Sequence, residues 1–178
     1  RAWQLAGLSL KVAVNLSTQD LRSASLITGI EARLKQHQLE ASAISIEITE
    51  SKLMQDLDGA VATINHLRQL GVDVAIDDFG TGHSSLAYLK YLPVDEVKID
   101  KAFLGDLEID ARARHIMDTS IRLAKGLGFK VTVEGVETED ILQLLLGMGV
   151  DKIQGDIFSQ PLKPKELESR WPKLSGIG

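Results

Sequence analysis

The chain has 178 residues and a mass of 19.4 kDa, the size of one domain, and its 44% hydrophobic and 25% charged residues exclude disorder or a fibrous repeat. Aromatics supply only 4%, so the core must come from Leu, Ile, Val and Ala, and the absence of cysteine excludes disulfides, thiolate zinc sites and iron–sulfur clusters while fitting a reducing, cytoplasmic setting. A net charge of −5 and a pI near 5.4 argue against a DNA or RNA polymer as partner, and no run approaches the ~20 apolar residues of a membrane span, so no membrane contact is expected from this segment.

The opening Arg1-Ala2-Trp3-Gln4 has no initiator Met and reads like the middle of a helix, so the chain is expected to be a piece of something longer. Six short runs rich in Val and Ile then follow in order: Leu10–Val14, Ile44–Ile48, Val72–Ile76, Val94–Ile99, Lys130–Val133 and Lys152–Ile157. Each predicts a buried strand. Segments of helical period lie between them, marked by Leu26, Ile30, Leu34 and Leu39, then by Leu53, Leu57, Val61, Ile64 and Leu67, and later by Ile116, Ile121, Leu123 and Leu127. Gly71 and Gly128 stand where helix C-caps belong. The run Leu144-Leu145-Leu146 predicts a buried helix, Arg112 and Arg114 a solvated turn, and the polar segment after Pro161 a helix-like tail.

Strand alternating with helix predicts an α/β fold with a parallel sheet. A doubly wound sheet most often carries a glycine-rich phosphate loop after a strand, and neither GxGxxG nor a Walker A pattern occurs. Nearly every predicted strand instead ends in a carboxylate, amide or lysine, as when several strands feed one site at the C-terminal mouth of a barrel. The expectation is a TIM-like barrel with six of its eight strands present, the remainder lying upstream.

The strand ends read VNLS (Asn15), IEITES (Glu47, Glu50), AIDDFGTG (Asp77, Asp78), VKID (Lys98, Asp100), VEGVET (Glu134, Glu137) and IQG (Gln154). Residues two apart on a strand share a face, so Glu47 and Thr49 point the same way, as do Lys98 and Asp100. Carboxylates converging on one mouth repel one another without a cation, and a set of oxygen ligands without His or Cys suits Mg²⁺ or Mn²⁺. Adjacent Asp77 and Asp78 reaching different ions would form a two-metal clamp for phosphoryl chemistry, with Lys98 neutralising a phosphate or orienting water. Taken singly, Asp77-Asp78 also reads as a turn, Asn15-Leu16-Ser17 as a helix cap, Glu50 as a loop-holding group and Lys98 as a solvated side chain. His37, His66 and His115 are expected on helix surfaces, and His83 beside Ser84 and Ser85 makes no triad.

In this order and spacing, VNLS, E-x-T-E, DDFGTG, K-x-D, EGVE and QG resemble the EAL family of bacterial cyclic di-GMP phosphodiesterases, from the first residues to about Pro164. The resemblance implies a modified (β/α)₈ barrel that opens cyclic di-GMP to linear pGpG with two Mg²⁺ or Mn²⁺ ions. It makes Asn15 and Glu47 ligands of one metal, places Asp77 at or between both, and gives Asp78 to the second. It makes Lys98 the residue that positions the nucleophilic water or binds at the second metal, with Asp100 supporting it. Glu134 resembles the proposed general base, Glu137 and Gln154 complete the wall, and Glu50 anchors the DDFGTG loop. A homodimer and fused sensor or GGDEF domains are further implications. The name-giving E-A-L tripeptide does not occur, so its first strand and helix are expected upstream of Arg1; the alternative is a shortened, catalytically silent receptor for the same nucleotide. His83 and Asp156 depart from aromatic residues usual in the family.

Overall fold

The computed structural model describes residues 1–80 and 86–174; His83, Ser84 and Ser85 lie outside them. Six strands form one sheet in the order of the chain: β1 (Val12–Asn15), β2 (Ile44–Thr49), β3 (Asp73–Phe79), β4 (Glu96–Ile99), β5 (Lys130–Val133) and β6 (Lys152–Ile153). Every neighbouring pair is parallel. A consecutive order has no switch point, so the connecting helices all fall on one face and the sheet curls away from them. Residues from the first strand and the last, Ala13 and Ile153, line one cavity of about 220 Å³ together with Ser45, Ala75 and Thr132. The sheet is a half-barrel.

Eight helices are described: α1 (Ala2–Leu5), α2 (Thr18–Leu21), α3 (Leu26–His37), α4 (Glu50–Leu53), α5 (Leu57–Gln69), α6 (Ala111–Gly126), α7 (Glu139–Met148) and α8 (Pro164–Leu174). The pleat separates two kinds of side chain. Ile46, Ile48, Val74, Ile76, Val97, Ile99, Val131 and Val133 point to the helix layer and are almost fully buried against Ile64 and Leu67 of α5 and Met117 and Ile121 of α6. The concave face carries small and charged groups. Val12 and Val14 are 46% and 42% exposed, because β1 is an edge of the sheet. No described helix is long and apolar enough to cross a membrane.

Several elements differ from expectation. The last run stops at Ile153 because Gly155 packs against the loop after β5: a Cβ there would lie 2.0 Å from the Val136 carbonyl oxygen, and Ile157 donates its N–H to that carbonyl. The first strand starts two residues after Leu10 and ends one after Val14, and β4 starts two residues after Val94. Arg112 and Arg114 stand in the first turn of α6 rather than on a free turn, where half-buried Arg114 donates to the carbonyls of Leu107 and Glu108 at 3.0 Å. Of Leu144-Leu145-Leu146 only Leu145 is buried, since a helix offers one face to the core; Leu146 is 53% exposed. His37, His66 and His115 are exposed on helices, and Gly71 and Gly128 follow α5 and α6 with positive φ.

One device occurs twice. Asp95 gives its N–H to the Val74 carbonyl, takes the Val74 N–H on Oδ2 at 3.0 Å, and pairs with Arg68 near the end of α5. Asp151 does the same with Val131 at 2.9 Å and with Lys125 near the end of α6. Each aspartate thus ties the start of a strand to the preceding strand and to the helix that leads into that preceding strand. Burial alone would raise the Asp151 carboxyl, yet the Val131 N–H and the Lys125 ammonium hold it below the ordinary carboxylate range. Its stabilisation is therefore present above that range and fades as pH falls through the lowered value. Asp151→Ala, which strands the buried Val131 N–H, is expected to cost about 1–3 kcal/mol at neutral pH. Thermal melts should show the gap to wild type narrowing as pH falls below the ordinary aspartate range.

Candidate active site

The carboxyl ends of the strands converge on Lys98. Its side chain, 8% exposed, donates to Glu47 Oε1 and to Glu134 Oε1, each at 2.6 Å, and stands 3.6 Å from Asp77 Oδ1. The four residues come from β2, β3, β4 and the end of β5, so only the parallel register brings them together. Burial disfavours the ammonium, but its hydrogen bonds to Glu134 and Glu47 and the charges of Glu134 and Asp77 outweigh that and raise its pKa above an ordinary lysine's. Burial lifts the Glu134 carboxyl above the usual range; Lys98 offsets part of this, and the charges of Asp77 and Glu47 add to it.

Asn15 pairs with Glu47 in register, and its Nδ2 reaches Glu47 Oε2 at 3.5 Å. At the next strand a bulge intervenes. Ile76 pairs with Val97 but Phe79 with Ile99, so β3 carries one extra residue, and Asp78 takes a left-handed φ of 56°. Strict alternation would send consecutive aspartates to opposite faces; the bulge re-aims the second. Burial and the charges of Asp77 and Asp100 raise the Asp78 carboxyl, opposed by Lys98 and Lys52. The loop beyond is tied by Glu50, 2% exposed, whose Oε2 takes the Gly80 N–H at 3.0 Å while Oε1 takes the Tyr88 hydroxyl. Gly80 has a φ of 89°, and a Cβ there would lie 2.7 Å from the Phe103 ring, so the turn admits no side chain.

The remaining candidates are placed more loosely. Asp100 caps the short helix Lys101–Phe103 by accepting the Ala102 N–H at 2.8 Å. Gln154 lines the 220 Å³ cavity with Glu47 and Lys98. Glu137 is exposed in the loop after β5, away from the Lys98 contacts. Asp156 is exposed and lies 3.5 Å from Gln160 Nε2. Three residues of the surroundings carry no signal in the motifs: Tyr88, which holds Glu50; Lys52, whose charge reaches Asp78; and Glu96, beneath Lys98 on the same strand.

Asp77 Oδ1 is the one buried side-chain oxygen without a hydrogen-bond partner among the described residues. An orphaned carboxylate oxygen beside Asn15, Glu47 and Asp78, grouped among the described residues with oxygen donors, suits a hard divalent cation. No three or more His, Cys, Asp or Glu among the described residues are already drawn together around a point; Glu47 and Glu134 turn to Lys98 instead. The residues present fit a divalent ion by chemistry, with Lys98 holding two of the acids.

The EAL domain family model matches residues 1–161. The chain is 41% identical to the cyclic di-GMP phosphodiesterase NbdA of Pseudomonas aeruginosa over 169 residues, which is 94% of this chain and 22% of NbdA. It spans between a fifth and just over a quarter of the curated relatives it matches first. Among solved structures, the MucR phosphodiesterase in complex with c-di-GMP, from the same organism, superposes with a TM-score of 0.87 at 37% identity, covering 93% of this chain and 68% of that one. The manganese and cyclic di-GMP complex of Klebsiella pneumoniae BlrP1 superposes with a TM-score of 0.81 at 30% identity, covering 90% and 41%. The half-barrel is thus part of a known architecture, and the chain belongs to the EAL domain family.

Proposed function

We propose that the protein carrying this chain is a divalent-metal-dependent phosphodiesterase that hydrolyses cyclic di-GMP to linear pGpG. The observation that carries this reading is the orphaned Asp77 oxygen beside a buried Lys98 held by Glu47 and Glu134, in a chain related to enzymes named for that activity. Asn15, Glu47, Asp77 and Asp78 would hold Mg²⁺ or Mn²⁺. Such an ion supplies a water of lowered pKa and charge neutralisation at the phosphate.

The chain's own residues account for the rest. Glu134 keeps Oε1 on Lys98, which leaves Oε2 to take the proton of the attacking water. Its raised pKa suits that task, because a base works best when its pKa lies close to the working pH. Lys98 fixes the orientation of that carboxylate and brings a permanent positive charge toward the phosphodiester. Glu50 holds the Asp77-Asp78 bulge through Gly80, and Gln154 closes the wall.

Incubation with cyclic di-GMP and Mg²⁺ or Mn²⁺, followed by chromatography, should yield pGpG, and a chelator should abolish it. Nucleotide binding without product under every cation would make the protein a receptor instead. Glu134→Gln is expected to lower turnover by about 10²–10⁴ while nucleotide binding, measured by calorimetry, persists. Glu50→Ala strands the Gly80 N–H and is expected to cost about 1–3 kcal/mol, seen as a lower melting temperature accompanied by reduced pGpG formation.

A further inference from the structure

Below the acidic site lies a second polar layer. Glu96 Oε1 accepts from the Thr132 hydroxyl, and Oε2 accepts from Lys152 Nζ at 2.5 Å. The layer spans three successive strands, and each member sits two residues before a site residue on the same inner face: Glu96 before Lys98, Thr132 before Glu134, Lys152 before Gln154. All three line the cavity that Lys98 and Gln154 also line.

Glu96 is a potential rival for Lys98. The two Cα atoms are separated by two strand rises, about 6.6 Å, well within the reach of a lysine side chain. Glu96 is only 16% exposed on its side chain, so its charge is weakly screened. A carboxylate with an open oxygen there would draw the ammonium down the barrel, away from Glu134 and Glu47. Neither Ala75 nor Ser45, the small inner-face residues of β3 and β2, offers a compensating charge, and Lys11, which also lines the cavity, is paired with Asp73. Lys130, in register with Glu96, is exposed and its charge acts on Asp151.

We propose that Lys152 and Thr132 occupy both oxygens of Glu96 so that Lys98 is left to Glu47 and Glu134, making Lys152 a positioning residue for the catalytic lysine. The inference rests on the proposed function for its kinetic consequence, but its structural content stands apart from turnover.

The test is a crystal structure of Lys152→Met, with kinetics beside it. The expected structure has Lys98 Nζ turned toward Glu96 and at least one of its contacts to Glu47 and Glu134 lost. The expected kinetics are a kcat about tenfold lower with KM changed less than about twofold, and recovery of most of the loss in Glu96→Gln/Lys152→Met, where the rival charge is gone. Glu96→Gln also removes an unpaired buried carboxylate and so restores stability, and the melting temperature of each variant separates that gain from recovered positioning. Lys98 still seated between Glu47 and Glu134 in Lys152→Met, with Glu96 turned to Lys130 or to solvent, overturns the proposal, as does a double variant no better than the single one. A wild type that makes no pGpG with any divalent cation overturns the proposed function, while the Lys98 contacts in the variant crystal still decide the positioning claim.

Discussion

A buried ammonium shared among acids is the interaction on which the rest of the site depends. Glu47, Asp77 and Glu134 approach from three strands, and without Lys98 between them their mutual repulsion in a poorly screened mouth would force protonation or movement. Lys98 can remain charged at low exposure only because two carboxylates accept its hydrogens at 2.6 Å. The same mouth leaves Asp77 Oδ1 without a hydrogen-bond donor, and burial keeps Glu134 above its ordinary pKa although Lys98 draws it down. One side chain thereby sets the geometry, the local charge and the protonation tendency of its neighbours.

The scaffold serves that convergence. A sheet built in chain order places every strand's carboxyl end at one mouth, and the pleat then sorts residues by parity: apolar ones to the helices, polar ones inward. The interior accordingly departs from the apolar layers common in such barrels. Glu96, Thr132 and Lys152 form one charged layer, and Lys11, just before β1, makes another ion pair with Asp73 of β3. The two carboxylates below the mouth, Asp73 and Glu96, are each matched by a lysine, which keeps the upper lysine for the site.

Much of this was legible in the sequence because period and chemistry coincide. The six Val- and Ile-rich runs mark the six strands, and in four of them a polar residue within one position of the run's end, Asn15, Glu47, Lys98 or Glu134, points into the mouth. What stayed hidden depends on tertiary contact. The bulge at Asp77-Asp78 arises from the register with β4, and alternation alone would have sent one aspartate to the other face. The end of the last strand is set by Gly155 against the Val136 carbonyl, a close approach that no local pattern encodes. Glu137 shares the EGVE motif with Glu134 yet is exposed, because the chain leaves the sheet between them. Glu96 and Thr132 look like ordinary strand residues until β4, β5 and β6 are laid side by side.

The most direct measurement of the central role of Lys98 is turnover of cyclic di-GMP by Lys98→Met beside wild type, each with Mn²⁺ and each checked for a cooperative melt. A folded variant that loses about a hundredfold or more in pGpG formation is the expected result. A folded Lys98→Met that makes pGpG at the wild-type rate would contradict it, since the acids would then hold their places without the ammonium.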